Sequence, residues 1–193
     1  MAPPPDRSLA HLHPAARKPI AALAQDVQRA GLPFRVYETY RGRERQEDGV
    51  RRGVSKARYL SGYHNYGLGT DFVGFVNGRW SWAPSLPWAR LGQLARARGL
   101  RWGGDWTGFV DKPHVQLSVG TVSQLRNGLI ADPRLGGSDW ANWMHWYWNQ
   151  AREIQPAMRR ALETYTGTQG LAPADLISAA NRKRKTPLYI GLG

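Results

Sequence analysis

The sequence predicts an α+β domain in which a small antiparallel sheet is flanked by helices. Three observations carry this expectation. Apolar residues recur at helical spacing in two separate stretches, Asn77-Gly78 stands between two short β-prone runs, and His114 to Val119 alternates polar with apolar residues. At 193 residues the chain can bury a core without covalent staples, and it has no cysteine to supply one.

Residues 14 to 30 read as the first helix, because Ile20, Leu23, Val27 and Ala30 recur at helical spacing and Gly31 supplies a left-handed stop. Pro33 to Glu38 reads as a strand. The basic stretch from Thr39 to Arg58 carries a short helix around residues 42 to 50. Phe72 to Val76 and Arg79 to Trp82 form a hairpin about Asn77-Gly78, the strongest short-range turn signal of this kind. Trp88, Leu91, Leu94 and Ala95 mark an amphipathic helix over Pro87 to Arg98, closed by Gly99, after which Leu100 to Trp102 is extended. Beyond Gly120 the character changes, and the division falls there: residues 1–120 as the core, residues 121–193 as a helical, Trp-rich and basic extension packed on it. Thr121 to Gly137 is rich in turn residues, Asp139 to Thr166 reads as a long helix carrying Trp140, Trp143, Trp146 and Trp148, a shorter helix follows Pro173, and Arg182-Lys183-Arg184-Lys185 lies near the end.

Two clusters carry chemistry. One is Gly62-Tyr63-His64-Asn65-Tyr66-Gly67-Leu68-Gly69-Thr70-Asp71, the other Asp111-Lys112-Pro113-His114. Catalytic zinc takes three protein ligands and keeps a fourth position open, so His64, Asp71 and His114 make a complete set. Gly67 and Gly69 give the backbone between the first two ligands its pliability. Asp111, three residues before His114, is placed to handle protons; Asp105 is its rival. His11, His13 and His145 lie outside both clusters and read as surface or packing residues.

These segments, together with Tyr40-Arg41, Gln46, Val54-Ser55-Lys56-Ala57 and Trp102-Gly103-Gly104-Asp105-Trp106, resemble the VanY-type (M15) zinc peptidases, and within them the L-alanyl-D-glutamate peptidases that include many phage endolysins. The resemblance spans about residues 12 to 118. It implies the fold of D-Ala-D-Ala peptidases and hedgehog-type domains, a Zn2+ cofactor, and hydrolysis of the peptidoglycan stem peptide between L-Ala and D-Glu. It assigns His64, Asp71 and His114 to the metal, Asp111 and Arg41 to catalysis, and Trp106 and Gln46 to the substrate, though Gln46 also suits a purely structural place. Gly62 and Gly69 depart from the family pattern, which has Ser and Ala there.

The net charge of +13, from 27 Lys and Arg against 14 Asp and Glu, draws the protein towards polyanions; nucleic acid, anionic lipid and anionic cell wall all qualify, and with the resemblance the expected partners are anionic wall or outer-membrane polymers. A nucleic-acid-binding module is the rival of another class. The scattered basic residues argue against it, and it leaves the His and Asp clusters unexplained. Within enzymes the alternatives are a D-alanyl-D-alanine carboxypeptidase and a secreted interbacterial toxin. The start lacks the basic and apolar segments of a Sec signal, so the expectation is a monomer made in the cytoplasm that reaches the wall with holin-type or secretion-system help.

Overall fold

The structure is a computed structural model and describes residues 3–127. The predicted helix over Asp139 to Thr166 with its four tryptophans, the helix after Pro173 and the basic tail lie outside the described residues. Helix α1 (Pro14–Arg29) is followed by β1 (Phe34–Glu38), α2 (Arg43–Arg51), β2 (Gly69–Val76), β3 (Arg79–Ser81), α3 (Trp88–Ala97), β4 (Arg101–Trp102), β5 (His114–Gln116) and α4 (Val122–Asn127). Single 3-10 turns sit at Tyr63–Tyr66 and Gly103–Asp105. The turn-rich reading of the stretch after Gly120 is corrected in part, since its first residues form α4, whose Leu125 joins the core.

The sheet runs β1-β2-β5-β4, all antiparallel, with β3 paired to β2 beside this path. Asn77 and Gly78 both take positive φ, as a two-residue hairpin with the right twist requires. Because side chains alternate along a strand, the sheet has two different faces. Phe34, Phe72 and Val115 point to one and pack with Leu12, Ile20, Leu23 and Val27 at α1 and Leu91 and Ala95 of α3. Asp71 and His114, directly opposite each other in register, point to the other.

Trp102 ties the core to that second face. A Cβ added at Gly92 of α3, or at Gly104, would land inside its indole ring, and its Nε1 donates to the Lys112 carbonyl at 2.7 Å. Glycine here has a packing reason that outweighs its poor helix propensity. Gly92→Ala is therefore expected to destabilise by about 1–3 kcal/mol rather than stabilise, measured as a lower urea midpoint at unchanged m-value.

His13, expected at the surface or in packing, is only 2% exposed and caps α1 by accepting from Ala15 N through Nδ1. Its backbone N–H donates to Gly67 O at 2.9 Å, which joins the start of α1 to the His64 loop. Burial, then the nearby Arg17 charge, lowers its pKa from the ordinary 6.5 to about 3. The fold holds His13 neutral while the unfolded chain takes up a proton below about 6.5, so stability falls as pH drops from 6.5 towards 3, by about 1.4 kcal/mol per unit. His13→Asn keeps a capping group and is expected to flatten this slope in urea titrations between pH 6.5 and 4. An unchanged slope would refute the assignment.

Candidate metal centre and active site

His64 reaches the sheet from the 3-10 turn before β2, Asp71 lies on β2, and His114 opens β5. The structure brings the three together. His64 Nε2 lies 3.0 Å from Asp71 Oδ1 and 3.1 Å from His114 Nδ1, and His114 Nδ1 lies 3.2 Å from Asp71 Oδ1. The remaining ring nitrogens fix both imidazoles: His64 Nδ1 is 2.7 Å from Thr39 O and His114 Nε2 is 3.0 Å from Gln116 Oε1. Each partner is an oxygen acceptor, so each of these nitrogens carries the ring proton in a neutral imidazole. Two nitrogen lone pairs and a carboxylate oxygen then converge on one point, an arrangement that repels itself unless a cation stands between them. Ligands 2.0–2.1 Å from a tetrahedral zinc stand about 3.3 Å from one another, and the observed triangle matches. The trio can hold a metal ion, and it is the one such group among the described residues.

Without a cation between them the three groups bear strongly on one another's charge. Burial works against charge on Asp71, yet His64, His114 and Arg41 hold its carboxyl well below the usual carboxylate range. Burial likewise opposes a proton on His114, but Asp71 and Asp111 outweigh it and its pKa is raised. Asp111 moves the other way from Asp71: burial, then the Asp71 charge, raises it.

Asp111 stands on a loop pinned at successive residues. Its N–H donates to Gly103 O at 2.9 Å, Lys112 O accepts from Trp102, Pro113 O accepts from Phe72 N at 2.9 Å, and His114 N donates back to Asp111 O at 3.1 Å. The close backbone approach needs Gly103, where a Cβ would collide with Asp111 O. Asp105, the rival carboxylate, is turned outward into an ion pair with Arg96 at 2.7 Å. Trp106 lies against His114, ring centroids 5.2 Å apart. Gln46 is buried, and its amide donates to Ser55 Oγ at 2.9 Å and Ala57 O at 2.5 Å, which holds the 55–57 turn.

Arg41 donates to Asp71 Oδ2 at 3.1 Å and, through Nε, to Glu38 Oε2 at 3.0 Å. Glu38 was not singled out by the sequence. It lies opposite Asp71 in register across a bulge, is 2% exposed, and also accepts from Arg45 Nε at 2.5 Å. The Glu38–Arg41 pair thus engages one Asp71 oxygen and leaves the other for the trio. The N-terminal segment contributes too, because Thr39, whose carbonyl fixes His64, donates its N–H to Asp6 O at 2.7 Å.

Of the two departures from the family pattern, Gly62 has room for a serine, since an added Cβ would meet Asn65 Oδ1 at 3.8 Å. Gly69 has less: a Cβ there would come within 2.9 Å of the His114 ring and 3.2 Å of His64 N.

Residues 55–117 match the model of a peptidase family described as D-alanyl-D-alanine carboxypeptidase. The chain belongs to these M15 metallopeptidases. Among curated relatives, the L-alanyl-D-glutamate peptidase of Listeria phage A118 is 36% identical over 91 residues, 46% of this chain and 31% of the relative. The peptidoglycan L-alanyl-D-glutamate endopeptidase CwlK of Bacillus subtilis is 28% identical over 128 positions, 55% of this chain and 73% of the relative. The chain thus spans about a third of the phage relative's length and about three quarters of the Bacillus one. The crystal structure of the Serratia marcescens L-Ala D-Glu endopeptidase ChiX is 31% identical, covering 57% of this chain and 83% of that one with a TM-score of 0.46.

Proposed function

We propose that the chain is a zinc-dependent peptidoglycan hydrolase that cuts the stem peptide at the L-Ala–D-Glu bond and serves as a phage or prophage endolysin. The observation that carries this is the convergence of His64 Nε2, Asp71 Oδ1 and His114 Nδ1, with the spare carboxylate Asp111 close enough to feel the charges of all three ligands. The two curated relatives bear the L-alanyl-D-glutamate name, one of them from a phage.

In this reading His64, Asp71 and His114 hold Zn2+. When bound, zinc supplies Lewis acidity towards the scissile carbonyl and acidifies water. The remaining steps belong to the chain. Asp111 accepts the proton of the attacking water and returns it to the leaving amine, a role for which burial and a raised pKa suit a carboxylate. Arg41 holds Asp71 in place and adds positive charge where the carbonyl oxygen becomes negative. Trp106 presents an apolar wall beside His114. The overall charge of +13 favours approach to anionic wall or outer-membrane polymers.

A D-alanyl-D-alanine carboxypeptidase is the second reading, favoured by the description of the matching family. Digestion of purified wall, followed by mass analysis of the fragments, separates the two. Release of stem peptides beginning at D-Glu is expected, blocked by a chelator and restored by zinc. Release of single D-Ala residues would replace the first reading by the second, and full activity in chelator would sink both.

A further inference from the structure

We propose that the sheet face running from the metal-ligand trio towards the β2–β3 hairpin docks the glycan chain of peptidoglycan, with the Trp82 indole as its stacking platform. The inference rests on the stem-peptide reading above and deepens it.

Alternation along β2 puts Asp71, Val73 and Phe75 on one face. Register then adds neighbours to that face: His114 and Glu38 opposite Asp71, Arg35 opposite Val73, and Trp80 opposite Phe75. The far end of the face is aromatic. Trp80 meets Phe75 and Tyr37 edge to face, each at 5.0 Å between centroids, and Trp82 meets Tyr37 at 5.3 Å and 83°. Two arginines lie over these rings, Arg7 at 5.5 Å from Tyr37 and 5.0 Å from Trp80, and Arg35 at 4.1 Å from Phe75. Tyr37, Phe75 and Trp80 are half-buried, whereas Trp82 is 52% exposed. Its ring is held edge-on against Tyr37 while half its surface stays open, so it is preset rather than loose. An indole held this way offers an amphipathic face at small entropic cost.

Position selects the occupant. Strands rise about 3.3 Å per residue, so Phe75 lies about 13 Å along β2 from Asp71; Ser81 pairs with Gly74 in the antiparallel register, so Trp82, one residue on, comes back towards the level of Val73, about 7 Å along β2 from Asp71. The bond to be cut joins the first two residues of the stem, and the first is attached to a sugar through its lactyl group. One extended residue spans about 3.5 Å; adding the lactyl group and a pyranose ring brings the sugar over the aromatic end of this face. The apolar C–H face of a pyranose stacks on indole, and Arg7 and Arg35, both exposed, can donate to its hydroxyl and acetamido oxygens. A lipid surface fits worse, because the open apolar area is one indole with arginines beside it.

The test uses the full chain with zinc. Peptide-free tetrasaccharide of alternating N-acetylglucosamine and N-acetylmuramic acid is titrated against wild type, Trp82→Ala and Trp82→Tyr, with tryptophan fluorescence or NMR as readout. Wild type is expected to bind saturably, Trp82→Ala at least five-fold more weakly, and Trp82→Tyr to recover most of the loss. In parallel, the wild-type preference in kcat/KM for a disaccharide-linked stem peptide over the sugar-free peptide is expected to fall about as much in Trp82→Ala, through KM. The proposal is overturned if the saccharide does not bind, if Trp82→Ala leaves saccharide binding or the preference unchanged, or if anionic phospholipid vesicles bind through Trp82 while the saccharide does not. The saccharide arm contains no scissile bond, so it reports on Trp82 even if the chain proves to cut a different peptide bond.

Discussion

Asp111→Asn is expected to lower kcat on stem peptide by about 10²- to 10⁴-fold, the range that a positioned general acid–base contributes, while the chain still folds and still binds one zinc. Asparagine keeps the volume and leaves the pinned backbone of residues 111–114 intact, since every bond that fixes this loop is made by main-chain atoms on the loop's side. What it removes is the ability to take a proton. The matched control is Asp105→Asn. Asp105 is exposed and paired with Arg96 on the surface, and such pairs contribute little, commonly under about 1 kcal/mol, so this variant is expected to stay near wild-type rates. Metal content by elemental analysis, melting temperature and kcat together separate the roles. If Asp105→Asn lost activity and Asp111→Asn kept it, the assignment would be reversed.

How much of this was legible in the sequence depended on how local each signal was. The hairpin was legible because Asn77 and Gly78 each meet a backbone requirement of the turn itself. The helices were legible because the buried residues of α1 and α3 repeat along one stripe. The convergence of His64, Asp71 and His114 was legible because two short motifs contain all three residues with their spacing, and Pro113 marks the tight turn that carries Asp111. Glu38 was not legible, because its partners are set by the pairing of β1 with β2 and by a bulge that brings it opposite Asp71. Nothing near it in the sequence announces a register. Trp102 read only as the end of an extended stretch, and the packing of α3 is what shows that Gly92 and Gly104 lie against its ring. The start of the chain was read only for a Sec signal, yet Asp6 and Ser8 accept from Thr39 and so support the carbonyl that orients His64.

Glu38→Gln is expected to act on the metal rather than on the proton, and so to leave the opposite signature from Asp111→Asn. Glu38 is buried between two guanidiniums, with Arg41 on Oε2 and Arg45 on Oε1, and Arg41 in turn donates to the Asp71 oxygen turned away from the two imidazoles. A carboxamide keeps the shape but offers one acceptor oxygen in place of two charged ones. Arg41 then loses the partner that sets its reach, and Asp71 gains freedom to rotate off the trio. Groups that orient a metal ligand in this way commonly tune affinity by about 10- to 100-fold, and zinc affinity measured by chelator competition is expected to fall within that range. Losing one partner of a buried charged pair also destabilises, here by about 3 kcal/mol or more, read as an earlier urea midpoint. The decisive comparison is rescue by metal: excess zinc should restore most of the kcat of Glu38→Gln and none of that of Asp111→Asn. If zinc affinity is unchanged in Glu38→Gln and only stability falls, Glu38 serves the fold alone, and Asp71 is oriented by the two histidines without help from Arg41.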